Sequence, residues 1–130
     1  MILFIDPTNK NIEIKLLDMT GQEVSVSCFN SDKNQTELLV LEIDRLLNKA
    51  SLKLFDIKKI VVLKGPGSYT GLRVALSSLN AVAFAYDIFI YGYKEGELVM
   101  KEVVNSRDSH FSTPVLPYYL QPPKITRPKP

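Results

Sequence analysis

At 130 residues, 45% hydrophobic and 23% charged, the chain has the length and composition of one globular domain, which excludes a disordered polypeptide. The last ten residues carry Lys124, Arg127 and Lys129 with no acid, so of a net charge of +2 residues 1–120 keep 13 basic against 14 acidic side chains, a net of −1. That balance excludes the basic folded body of a typical nucleic-acid binder. Cys28 is the only cysteine, so no internal disulfide forms, and its alternating apolar neighbours predict a small core residue in a reducing compartment. No run approaches the about 18 apolar residues of a membrane span. The opening MILFIDP reaches an aspartate by residue 6, unlike a secretory signal, so no membrane association and a cytoplasmic location are expected.

Residues 2–5 (ILFI) are apolar on both faces and predict a central strand. Residues 11–17 alternate, with Ile12, Ile14 and Leu16 on one side and Glu13 and Lys15 on the other. Val24, Val26 and Cys28 alternate with Ser25 and Ser27 in the same way, giving half-exposed antiparallel strands joined at Asp18-Met19-Thr20-Gly21. A helix follows over about 34–49, then an apolar strand at 60–63 (IVVL). A glycine-rich loop leads into a long helix over about 70–86, and a strand at 88–91 (IFIY) closes the unit. Right-handed crossovers in this βββαβαβ order place both helices on one face of a mixed five-stranded sheet of order 3-2-1-4-5. That is an α/β unit, the ribonuclease H-like single lobe of an actin-like (ASKHA) fold. Six of the eight prolines lie between Pro114 and Pro130, so an extended proline-rich C-terminal tail is expected beyond residue 112. Its basic end reads as a solubilising or weakly guiding terminus.

On a helical wheel, Leu39, Val40, Ile43, Leu46 and Leu47 form the core stripe of the first helix, leaving Leu38 and Leu41 among charged residues. Leu72, Ala75, Leu76, Leu79, Val82, Ala83 and Tyr86 form the core face of the second. Its opposite face carries Arg73, Val74, Ser77, Ser78, Asn80, Ala81, Phe84 and Ala85, with a single charge. A helix that is apolar or small nearly all round is normally buried on both sides, and small residues let another helix approach closely. Either a partner helix covers this back face, or residues 93–112 fold over it. The partner reading assigns the contacts to Leu38, Leu41, Arg73, Val74, Ser77, Ser78, Ala81, Phe84 and Ala85, within 35–49 and 70–86, with Arg73 pairing a carboxylate across the interface.

Half of the six glycines lie in Gly65-Pro66-Gly67-Ser68-Tyr69-Thr70-Gly71, between an apolar strand and a helix N-terminus. Exposed backbone N–H groups and the helix dipole suit an anion there. The spacing matches neither the Walker loop nor G-x-G-x-x-G nor G-x-S-x-G. Two readings fit equally: a tight strand-to-helix turn with Ser68 or Thr70 as N-cap, or a phosphate site that uses Asp6, Gly65, Gly67, Ser68, Thr70 and Gly71. Asp6 at the end of the first strand suits a metal or phosphate, and suits equally the capping of its own hairpin turn. The lone His110 excludes a two-histidine metal site within the chain, and Asp108-Ser109-His110 are sequence neighbours, which rarely converge as a triad.

The run Gly65-Pro66-Gly67-Ser68-Tyr69-Thr70-Gly71-Leu72-Arg73, between strand and helix, resembles the signature of the TsaB (YeaZ) family. Ile2 to Asp6, Thr36-Glu37-Leu38-Leu39 and Tyr91-Gly92 add to the likeness, which covers about residues 1–92. Pro117-Tyr118-Tyr119-Leu120 resembles the tail that ends family members. The resemblance implies a non-catalytic scaffold in the synthesis of threonylcarbamoyladenosine in tRNA. Such a scaffold stacks its two helices on those of a TsaD-like transferase, is joined by a TsaE-like ATPase, and meets tRNA only indirectly. It also implies neither catalytic nor metal-binding residues, because the metal-binding histidines of the catalytic paralogue are missing. Peptidase chemistry is excluded by the single histidine and the lack of a nucleophile–base pair.

The chain departs from the family at Pro7, where threonine is usual, and at Gln35-Thr36, where a histidine-serine pair is usual. About 25 residues stand in place of a second lobe. The division expected is a family-like lobe over 1–92, a short connector over 93–112 and a proline-rich tail over 113–130. Without the second lobe, no cofactor is expected and ATP binding loses its cleft. Two rivals remain: a small nucleotide-binding protein or ATPase using the glycine-rich loop, and a homodimer formed through the same helices.

Overall fold

A computed structural model of the chain describes residues 1–30, 35–67, 69–96 and 110–118, with the backbone alone for 35–37, 69 and 70. The elements are β1 (Ile2–Asp6), β2 (Asn11–Leu17), β3 (Glu23–Asn30), α1 (Gln35–Lys49), β4 (Lys59–Gly65), α2 (Tyr69–Ala85) and β5 (Phe89–Lys94). One short 3-10 turn, Leu54–Asp56, was not foreseen. The sheet order is β3-β2-β1-β4-β5, as the crossover rule predicts. β1 is central, antiparallel to β2 (Ile5↔Ile14) and parallel to β4 (Leu3↔Ile60, Ile5↔Val62).

Alternation along the strands decides what is buried. Leu3 and Ile5, Ile12, Ile14 and Leu16, Ile60 and Val62, and Ile88 and Ile90 turn to one side. There they form one core with Leu39, Ile43, Leu46 and Leu47 of α1 and Leu72, Ala75, Leu76, Leu79 and Ala83 of α2. Both helices therefore share one sheet face. On the other face Ile2, Leu17 and Val61 are buried beneath Phe4, Tyr91 and Tyr93, with Phe4 and Tyr93 ring centroids 5.9 Å apart.

Both helices end in the same six-to-one backbone motif. Leu52 N donates to Leu47 O at 2.8 Å with Ser51 at φ 58°, and Ile88 N donates to Ala83 O at 2.8 Å with Asp87 at φ 54°. A left-handed residue reverses the chain so that the next apolar residue returns to the core.

Several expectations are corrected. Val40 is 42% exposed, because it lies at the margin of a stripe that Leu39, Ile43, Leu46 and Leu47 already fill. Tyr86 is 52% exposed, because α2 ends at Ala85 and the turn at Asp87 takes residue 86 off the wheel. Cys28 is exposed, not in the core. The pairs Ile14↔Ser27 and Leu16↔Ser25 put the serines on the helix side, leaving Val24, Val26 and Cys28 on the open side of an edge strand. β5 runs on to Lys94, past the end expected at 91.

Candidate docking face and glycine-rich turn

The outward sides of α1 and α2 carry most of the residues assigned to a partner. Leu41 is 61% and Phe84 73% exposed, while Arg73, Ser77, Ala81 and Ala85 are exposed and Leu38 and Val74 half-buried. Ser78 leaves the outward set, since it is buried and its hydroxyl donates to Val74 O at 3.1 Å. On the wheel it borders Ala75 and Val82, which explains its burial. Gln35, Thr36 and Glu37 lie in α1, but their side chains are outside the described residues.

Part of the back of α2 is covered from within the chain. Residues 110–118 form an extended strap across α2 and β5. Asp87 begins it, with His110 Nδ1 2.8 Å from Oδ2 and the Phe111 N–H donating to Oδ1 at 3.2 Å. These bonds, first that with His110 and then that with Phe111, hold the Asp87 carboxyl below the usual value. Phe111 meets Phe84 edge-to-face at 5.6 Å. Asn80 Nδ2 donates to Val115 O, and Val115 N donates to Asn80 Oδ1, each at 2.8 Å. Tyr118 N donates to Lys64 O at 2.7 Å, and Lys94 Nζ lies 4.2 Å from the centre of the Tyr118 ring. Of residues 93–112, described only over 93–96 and 110–112, His110 and Phe111 meet the C-terminal end of the helix, and Val115 beyond them meets Asn80.

The strap depends on two glycines. A Cβ on Gly92 would run into the Val115 Cγ1 methyl, and one on Gly65, at φ 146°, into the Tyr118 carbonyl oxygen. Sequence reading missed Asn80 as a strap anchor, and with it Asp87, Gly92 and Val115. A glycine inside an apolar strand and the two prolines bracketing Val115-Leu116 were the only local signals.

Asp6 Oδ1 accepts both the Thr8 N–H, at 3.0 Å, and the Thr8 hydroxyl, at 2.6 Å, so it caps its own turn. That turn sits against the glycine-rich loop: a Cβ on Gly67 would lie 3.0 Å from Thr8 Cα. The structure thus brings Asp6, Gly65 and Gly67 together at one end of the sheet. Gly71 is half-buried in the first turn of α2, whereas Ser68 and the Thr70 side chain lie outside the described residues. On the open face beside Asp6, burial first, then the nearby Asp6 and Glu13 charges, push the Tyr93 hydroxyl far above its usual value. Among the described residues no three His, Cys, Asp or Glu side chains gather as metal ligands, and no helix is long and apolar enough to cross a membrane. Asp108 and Ser109, residues 97–109 as a whole and residues 119–130 also lie outside them.

The family model of the tRNA N6-adenosine threonylcarbamoyltransferase TsaD matches residues 29–119. The tRNA threonylcarbamoyladenosine biosynthesis protein TsaB of Bacillus subtilis is 34% identical over 87 residues, which are 67% of this chain and 38% of that protein. The uncharacterized protein MG208 of Mycoplasma genitalium is 39% identical over 74 residues, 56% of this chain and 38% of its own. YeaZ from Pseudomonas aeruginosa shares the fold, with a TM-score of 0.64 at 22% identity over 72% of this chain and 43% of that one. The chain spans less than half the length of these relatives.

Proposed function

The chain belongs to the TsaB (YeaZ) family, and from that premise we propose that it serves threonylcarbamoyladenosine synthesis on tRNA as a non-catalytic scaffold for a TsaD-like transferase. The observation that carries this reading is the outward side of the helix pair. Leu41, Val74, Ala81, Phe84 and Ala85 give it an apolar or small-residue surface on a domain whose other helix face is fully packed. A helix pair of the transferase packs on that surface, with Leu38 and Ser77 at its margins and Arg73 pairing a carboxylate of the partner. A TsaE-like ATPase joins the complex, tRNA is met through the transferase, and the location is the cytoplasm. No catalytic group of this chain takes part.

The test is light-scattering chromatography of the chain alone and mixed with the TsaD-like protein of its own genome. A stable complex is expected, lost on Ala81→Arg while circular dichroism stays native. A complex indifferent to Ala81→Arg refutes the helix surface. A homodimer through the same helices that ignores the transferase refutes the partner. Calorimetric binding of ATP and magnesium at the Asp6 turn would favour the nucleotide-binding alternative.

A further inference from the structure

The strap meets α2 along one stripe. Asn80 holds Val115, Phe84 meets Phe111 one helical turn on, and Asp87, in the turn that ends α2, holds His110 and Phe111. Of these three, only Phe84 also belongs to the docking face. Its ring stays 73% exposed beside Ala81 and Ala85, whereas Asn80 is half-buried and Asp87 lies beyond the helix. Phe111 is half-buried and packs against the main core, so it reaches from that core to the edge of the Phe84 ring. The edge-to-face contact at 5.6 Å restricts how the Phe84 ring turns and leaves most of it open.

We propose that Phe111 is a positioning residue for the docking face, and that the TsaD-like transferase binds the chain more tightly when the strap is seated. This coupling rests on the transferase reading and adds a control to it. A partner that packs on Phe84 meets an aromatic anchor already ordered by Phe111; with the strap released, that ring must be ordered during binding. Coupling between two sites is reciprocal. A transferase that prefers the seated form therefore also holds the strap down, as far away as Val115, which is buried against Gly92 and has no place on the docking face.

The experiment is calorimetric titration of the full-length chain and its variants with the TsaD-like protein of its own genome. Phe111→Ala should weaken binding at least fivefold. Val115→Asp, which unseats the strap at a buried site away from the docking face, should weaken it by a similar factor. In a Phe84→Ala background Phe111→Ala should add nothing, because its effect passes through that ring. Amide exchange at Val115 should slow once the transferase is bound. If Val115→Asp fails to fold by circular dichroism, Val115→Gly takes its place. Unchanged affinity in the Val115 variant, with the complex still lost on Ala81→Arg, overturns the coupling and leaves the transferase reading standing. A wild-type chain that forms no complex overturns both. An effect of Phe111→Ala that persists in Phe84→Ala overturns the positioning role, and Val115 exchange untouched by the transferase overturns the reciprocal hold on the strap.

Discussion

Replacing Asn80 with alanine removes both bonds at the centre of the strap, and the structure brackets the cost. Asn80 donates to Val115 O and accepts from Val115 N, each at 2.8 Å. At a net of about 0.5–1.5 kcal/mol per bond, the loss is about 1–3 kcal/mol. The bracket also has a ceiling: once residues 110–118 have left the groove, no further strap contact remains to be lost. Val115→Asp reaches that ceiling, because a carboxylate cannot replace a valine buried against Gly92. Asn80→Asp keeps the acceptor for Val115 N but turns an anionic oxygen toward Val115 O, so it should cost at least as much as alanine, up to the same limit. Urea unfolding of the three variants gives the stabilities. Amide exchange at Phe111, Val115 and Tyr118 should accelerate, while Ile5 and Val62 in the central strands stay protected. An alanine variant as stable as the wild type refutes the reasoning, and so does a cost above that of Val115→Asp.

Gly92→Ala should destabilise the chain although alanine normally suits a strand better, because the new methyl displaces Val115; in a Val115→Gly background the sign should reverse, as read by urea melts. Ser51→Gly should stabilise by about 0.5–1 kcal/mol, since Ser51 holds the left-handed position ending α1, and a lowered melting midpoint would refute that role. The lowered value of Asp87 sets a direction with pH. Its bonds to His110 and Phe111 contribute fully above the ordinary aspartate value of about 3.9 and are lost as pH falls through the lower folded value. Phe111 amide protection should therefore drop in that acid window and hold above it. The Cys28 thiol should react with Ellman's reagent in the folded protein, whereas reaction only on unfolding would place it in the core after all.

The order of elements was legible because each strand carries its own apolar signature and the glycine loop marks one strand-to-helix turn. The orientation of β3 was not. Its V-S-V-S-C run alternates cleanly, but alternation fixes only that two faces differ, and the pairing Ile14↔Ser27 decides which one turns inward. The back of α2 was half legible. Ala81, Ala85 and Phe84 are exposed as the wheel places them, while Asn80 is tied to Val115, a contact 35 residues away that no local pattern encodes. Tyr86 was misplaced because the wheel carries no notice of where a helix stops.

The central position of β1 has a consequence for how the chain is made. Ile2 pairs with Leu17 on one side and with Lys59 on the other. The meander β1-β2-β3 therefore closes early in synthesis, while the second edge of ILFID waits for β4. At about 5–20 residues per second, the forty or so residues between Leu17 and Lys59 take about two to eight seconds to emerge. For that interval an apolar strand edge stands bare on the nascent chain, and chains stalled before residue 59 keep it open to association with one another.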